Sequence, residues 1–198
     1  MLKPDWNQAP PDSAAIRILW QNPVFSFISR AAPSIDDLLK ELRGTHVNGG
    51  ACFACFRFPS EPVIDWFISR NRFEAIEFFE HLLTSDALAT ALPSLQAPLQ
   101  LDALKWEWWS PYLLAGDWAR TLMNGGAYKK YEKGGKSAKE LAERACADAF
   151  QERFEDVEVF RCATAWSDWF FDVAWDMTWI GVDKRKLELF LLCLTDTD

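Results

Sequence analysis

The sequence predicts a single α+β domain, a mainly antiparallel sheet with about four helices packed on it and a C-terminal β-meander over 157–194. Three observations predict it. Hairpins and isolated helices follow one another without the strict β–α alternation of a doubly wound parallel sheet. Four segments carry apolar residues at helical spacing between start and stop signals. The C-terminal stretch reads as three strands, 157–166, 168–182 and 186–194.

Residues 1–13, rich in proline and polar side chains, read as a tail. Ile16 to Trp20 and Val24 to Ile28 read as short strands split by the turn signal Gln21-Asn22-Pro23. The first helix is expected over 34–43, capped by Ser34, striped by Ile35, Leu38, Leu39 and Leu42, and stopped by Gly44. The apolar run Ala51 to Phe58 is too short and unbroken for an amphipathic helix and reads as a buried strand, with Val63 to Ile68 a second. Asn71 and Glu74 form a capping box for a helix over 71–91 that places Phe73, Ile76, Phe79, Leu83 and Ala87 on one face.

Leu95 to Leu99 is a proline-punctuated linker, after which Leu104, Trp106 and Trp108 alternate with Lys105 and Glu107 as a strand would. Ser110-Pro111 opens a helix through Leu122, proline being suited to the first helical position. Residues 125–136, with four glycines and four lysines, read as a mobile loop, and Ser137 with Glu140 caps a helix to about Phe154.

At 198 residues the chain suits one domain with a radius of gyration of about 16 Å. Its 29 acidic and 21 basic residues leave a formal charge of -8, which repels nucleic acid and anionic membrane and favours a basic protein surface as partner. The five cysteines are odd in number and set in apolar runs, so they read as buried free thiols, and no cofactor or metal is expected. No stretch approaches the roughly 20 apolar residues of a membrane span, and the N-terminus lacks the pattern of a secretory signal. A reducing cytoplasm is the expected compartment.

Each sharper motif has a structural reading beside it. Cys52 and Cys55 have CxxC spacing, but zinc needs a second pair, and on a strand residues three apart face opposite sides. Gly134-Gly135-Lys136-Ser137 resembles the end of a phosphate-binding loop, yet Lys130 stands where the pattern needs glycine. Of the two histidines, His81 reads as a surface residue and His46, upstream of Asn48-Gly49-Gly50 and Cys52, as the one arrangement worth testing for chemistry.

The richest pattern lies in 168–182. Odd positions hold Trp169, Phe171, Val173, Trp175, Met177 and Trp179, while Asp168, Asp172 and Asp176 fall in line on the other face. A turn over 183–186 with an even loop pairs Val182 with Leu187 and sets Asp176 against Cys193, making the aspartate face partly buried; an odd loop leaves it open. Asp172 and Asp176 would stand about 13 Å apart on a strand, too far for paired-acid catalysis. The binding candidates are therefore Asp168, Asp172, Asp176, Trp175 and Trp179, with Trp108 and Trp109 from the other tryptophan cluster, and no residue is assigned a catalytic role.

The run from Asp168 to Trp179, with Asp183-Lys184 and the closing Leu191-Leu192-Cys193-Leu194-Thr195-Asp196-Thr197-Asp198, resembles the ending of small bacterial accessory proteins of the immunity or mobile-cassette type. The charge of -8, the exposed-aromatic potential and the absence of catalytic motifs favour a non-catalytic acidic protein that neutralises a basic protein partner, with tryptophans as anchors. The competing expectations are a small-ligand binder or enzyme with a tryptophan-lined pocket, and a homo-oligomer built on a tryptophan-rich face.

Overall fold

A computed structural model describes residues 3–95, 99–151 and 153–198. Six strands form one fully antiparallel sheet: β1 (Ser26–Ile28), β2 (Gly50–Arg57), β3 (Glu107–Trp109), β4 (Val157–Cys162), β5 (Met177–Asp183) and β6 (Glu188–Thr195). Their spatial order is β1-β2-β6-β5-β4-β3, so β4, β5 and β6 form the expected meander and β2 pairs with its last strand.

The class is therefore α+β, with more helices than expected: α1 (Ser13–Leu19), α2 (Pro33–Thr45), α3 (Pro62–Ser69), α4 (Phe78–Leu83), α5 (Asp86–Ala91), α6 (Pro111–Asn124) and α7 (Gly134–Phe150). They cover both faces of the sheet. Leu19, Val63, Phe67, Phe78, Phe79 and Leu82 pack with Phe56, Phe160, Ile180 and Leu191 on one side. Leu38, Leu42, Leu114, Trp118, Leu122, Ala142 and Phe150 pack with Val159, Trp179, Phe190 and Leu192 on the other. This explains why β5 and β6 are apolar at nearly every position: a strand buried on both faces has no polar face to show.

Several expected elements change, each for a local reason. The segment 16–19 belongs to helix α1, with Trp20 as its C-cap, and the helix start is set by Asp12, its carboxylate accepting the Ala15 N–H at 2.8 Å. Val63 to Ile68, expected as a strand from its β-branched and aromatic residues, is helix α3: Glu61 accepts the Val63 and Ile64 N–H groups and Pro62 occupies the first turn. The expected helix over 71–91 is divided into a 3-10 turn, α4 and α5, because Glu77 takes a left-handed conformation with φ 50° and Ser85 caps anew. Asn71 is also left-handed and caps nothing.

Two cap assignments shift as well. Pro33 rather than Ser34 opens α2, and α7 begins at Gly134, so Ser137 lies inside the helix with its hydroxyl 3.1 Å from the Tyr131 hydroxyl. The segment 125–133 is a fastened loop: Tyr131 is buried, Gly126 N–H donates to Lys129 O, and Lys133 pairs with Glu41 at 2.5 Å. Part of the expected 95–99 linker lies outside the described residues.

The largest correction falls on 168–176, which is a succession of turns and not a strand. Its aspartates, with Ser167 just before it, offer the backbone local partners that compete with a sheet ladder. Ser167 O accepts the Phe170 N–H, Asp176 accepts the Val173 N–H at 3.1 Å, and Asp172 adopts φ 58°, which an aspartate tolerates.

Strand pairing resumes at Met177 with the even-loop parity, one of the two that the sequence left open, displaced by two residues. Asp183 pairs with Glu188, so the loop has four residues, Ile180 faces Leu191 and Thr178 faces Cys193. Asp183 accepts the Arg185 and Lys186 N–H groups at 3.0 and 2.9 Å, which builds the turn one residue later than the charged run implied.

Candidate functional site

The seven binding candidates separate into surface and interior. Asp168 and Asp172 are exposed on the 167–176 turns, where Trp175 is half-buried. Asp176 and Trp179 are buried at 1% and 0% exposure, so neither can meet a partner in the folded chain. Trp108 and Trp109, adjacent on β3, face opposite sides of the sheet. Trp108 is 59% exposed, its indole N–H held by Glu158 at 2.8 Å. Trp109 is half-buried, and the Arg161 guanidinium lies 3.5 Å from its ring centroid.

The turn that carries Asp168 and Asp172 is anchored from beneath. Trp166 and Phe170 are buried in the core, and the Trp166 indole donates to the Thr178 hydroxyl at 2.8 Å. At its far end, Asp176 accepts from the Thr195 hydroxyl at 2.5 Å; continuing the β5–β6 register places these two residues opposite one another. Between the anchors Phe171 is 46% exposed, flanked by Asp172 in its left-handed conformation. No lysine or arginine occurs between Ala163 and Asp183. The exposed part of this surface therefore combines carboxylates and an aromatic ring on a firmly seated backbone.

Sequence reasoning missed the second polar centre, made by the closing residues. Asp196 is fully buried, and its two carboxylate oxygens accept backbone N–H groups of Asn48 and Ala127, each at 2.8 Å. The side-chain amide of Asn48 donates to Thr197 O at 2.8 Å. A β-carbon on Gly126 would overlap the Asp196 carboxylate and the Thr45 carbonyl, and one on Gly49 would overlap the Thr195 carbonyl. The two Asn-Gly-rich loops, 47–50 and 124–127, thus need glycine where the carboxylate and the end of β6 approach. The signal was present as paired Asn-x-Gly segments, but nothing in the spacing linked them to the C-terminal aspartates.

His46 belongs beside this centre as a structural group. It is 2% exposed, with Nδ1 3.1 Å from Leu42 O and 2.9 Å from the Thr45 hydroxyl. Cys52, its expected companion, instead faces Cys193 across the sheet. Burial pushes the His46 pKa below its ordinary 6.5, opposed by the Leu42 hydrogen bond and the nearby Asp196 charge and aided by Lys130. The protonated ring is thus less favourable in the folded chain than in the unfolded one. Its contribution to stability is complete above about 6.5 and drains away as pH falls toward the lowered value. Thermal melts should accordingly show the gap between wild type and His46→Asn narrowing from pH 7.5 to pH 5.5; a constant gap would contradict this assignment.

A third network joins the sheet edge to the other helical layer. Lys184, only 6% exposed, donates to Asn71 Oδ1 and Glu158 Oε1, both at 2.8 Å. The same glutamate holds Trp108, which borders an open groove of about 470 Å³ with Asn71, Arg72, Glu74 and Phe160. On the opposite face, Asp117 accepts from the Trp179 indole at 2.9 Å and pairs with Arg120 and Arg161. Among the described residues, no group of three or more His, Cys, Asp and Glu side chains is placed to hold a metal ion, and no helix is long and apolar enough to cross a membrane.

The fold and these centres define the chain as an antiparallel α+β protein that exposes an acidic, aromatic turn. Neither family models nor curated proteins match it when compared by sequence.

Proposed function

We propose that this is a non-catalytic binding protein of the bacterial immunity or inhibitor type, acting in a reducing cytoplasm and docking a basic protein partner on the 168–175 turn. One observation carries the reading: Asp168, Phe171 and Asp172 are exposed together on a backbone held by buried Trp166, Phe170 and Asp176. A rigid aromatic flanked by carboxylates loses little conformational freedom on docking, and its charge speeds encounter with a cationic surface. Asp172, left-handed and exposed on this turn, has the kind of backbone conformation that often serves recognition.

Affinity capture from the native host, compared across three forms, tests the reading. Wild type should retain one basic protein at 1:1, with binding that weakens as salt rises. Asp168→Lys with Asp172→Lys should weaken it by about tenfold or more, a loss of at least about 1.4 kcal/mol. Glu140→Lys with Glu143→Lys, on the exposed face of α7, should leave it unchanged. Equal retention by all three forms, or no basic protein at all, would remove the proposal.

A small-ligand reading has a different foothold from the one expected. Trp20 stacks on His81 with ring centroids 3.9 Å apart beside a groove of about 310 Å³, and its buried indole N–H has no partner among the described residues. Fragment binding detected by ligand-observed NMR, and lost in Trp20→Leu, would favour it over docking.

A further inference from the structure

Four neighbouring strands each contribute one residue to a single row across the sheet. Cys162 of β4 pairs with Thr178 of β5, Thr178 with Cys193 of β6, and Cys193 with Cys52 of β2. All four lie on the face covered by α1, α3 and α4, and the three cysteines are free and buried. Cys52 and Cys193 are directly opposed on neighbouring strands. Directly opposed residues of antiparallel strands have Cα atoms about 4.5–5.5 Å apart. That separation lies inside the window of about 4.4–6.8 Å that a disulfide spans.

The remaining thiols are placed differently. Cys162 is two strands from Cys193, roughly 9–10 Å away at the usual strand spacing, with Thr178 between them. Cys55 lies on the opposite face of the sheet, and Cys146 sits on α7 in that same layer. The register therefore singles out one pair among all those that five cysteines allow.

We propose that Cys52 and Cys193 are a site of reversible oxidation, closing a cross-strand disulfide by exchange with a small-molecule disulfide of the glutathione type. Cys52, 9% exposed against 0% for Cys193, is the entry thiol. Its thiolate attacks one sulfur of oxidised glutathione, the glutathione S–S bond breaks, and one glutathione leaves as thiol. The Cys193 sulfur then attacks the Cys52 sulfur of the mixed disulfide, releasing the second glutathione. Two protein thiols lose two electrons and two protons, which the two reduced glutathione molecules carry away. Burial holds the Cys193 thiol protonated, and its sulfur lies 3.8 Å from the Thr178 hydroxyl, to which the Trp166 indole donates. Exchange consequently proceeds during folding or through local opening. The sheet accommodates the bond without a change of register, which equips the chain for an oxidising as well as a reducing compartment. The inference is independent of the docking surface.

The test refolds the full chain from denaturant in a buffer of oxidised and reduced glutathione, then alkylates free thiols and maps peptides by mass spectrometry. The expected product has one disulfide, Cys52–Cys193, with Cys55, Cys146 and Cys162 alkylated. Its Tm should stand about 10 °C above that of the reduced protein, because the bond closes a long loop, and reductant should abolish the difference. Cys162→Ala should behave as wild type, while Cys52→Ala and Cys193→Ala, checked by circular dichroism for folding, should each form no internal disulfide. Folded wild type with five alkylated thiols would overturn the proposal. So would a persistent Cys52–glutathione adduct, or linkage through Cys55, Cys146 or Cys162.

Discussion

Replacing Trp179 with alanine should destabilise the protein by about 3–5 kcal/mol, the range for truncating a fully buried tryptophan. The ring has no exposed surface, and it fills the centre of the layer formed by α2, α6 and α7 against β5. Its indole N–H also supplies a hydrogen bond to Asp117, whose side chain is almost wholly buried. Truncation therefore opens a cavity and removes a donor from a buried carboxylate, two costs that act together. Trp179→Phe keeps most of the volume and loses only the N–H, so it should fall between the two. Urea unfolding followed by circular dichroism measures the series, with Trp108→Ala as the contrast. Trp108 is largely exposed, and its removal should cost under about 1 kcal/mol. A Trp179→Ala loss no larger than that of Trp108→Ala would refute the placement of Trp179 in the core.

Asp196→Ala should cost about 2–4 kcal/mol, with a Tm fall of roughly 5–15 °C. The carboxylate satisfies two backbone donors from loops far apart in the chain, Asn48 and Ala127, and no other described group is placed on those N–H groups. Asp196→Asn keeps one acceptor oxygen and places an amide N–H where an acceptor stood, so it should recover at most part of the loss. Gly126→Ala, which pushes a β-carbon into the same carboxylate, should resemble Asp196→Ala, and the double variant should cost less than the sum of the two. Differential scanning calorimetry reads all four forms. Full additivity would mean that the glycine and the carboxylate do not share one site.

The elements legible in the sequence were those where one local rule had no rival. The stripe Ile35, Leu38, Leu39, Leu42 could only be the buried face of a helix, and it is. The apolar run of β2 read as a buried strand because it is too short and unbroken for an amphipathic helix, and it is one. The opposition of Cys52 and Cys55 across the β2 strand followed from period-2 geometry alone, and the two thiols do lie in different layers.

Where two rules competed, the pattern misled. Val63 to Ile68 has strand composition, but Glu61-Pro62 supplies a cap and a first turn, and the resulting helix buries Val63, Ile64, Trp66, Phe67 and Ile68 against the sheet. The alternation over 168–176 has strand period, but its aspartates serve as turn formers and local acceptors. Two of the seven candidates, Asp168 and Asp172, are exposed because the segment leaves the sheet in turns; as a strand in the even-loop register their face would have been partly buried. Trp179 and Asp176 could be sorted only by knowing which layers cover β5.

By itself the sequence determined the α+β class, the antiparallel meander and the acidic, aromatic character of residues 168–175, and it narrowed the β5–β6 pairing to two parities. These follow from periodicity, turn chemistry and charge, which act over a few residues. Tertiary structure alone decided that both sheet faces are covered, that Asp196 joins two distant loops, and that Cys52 and Cys193 meet. The last two depend on contacts between residues about seventy to one hundred and fifty apart, which no local pattern encodes because the two sides need only be complementary, not adjacent.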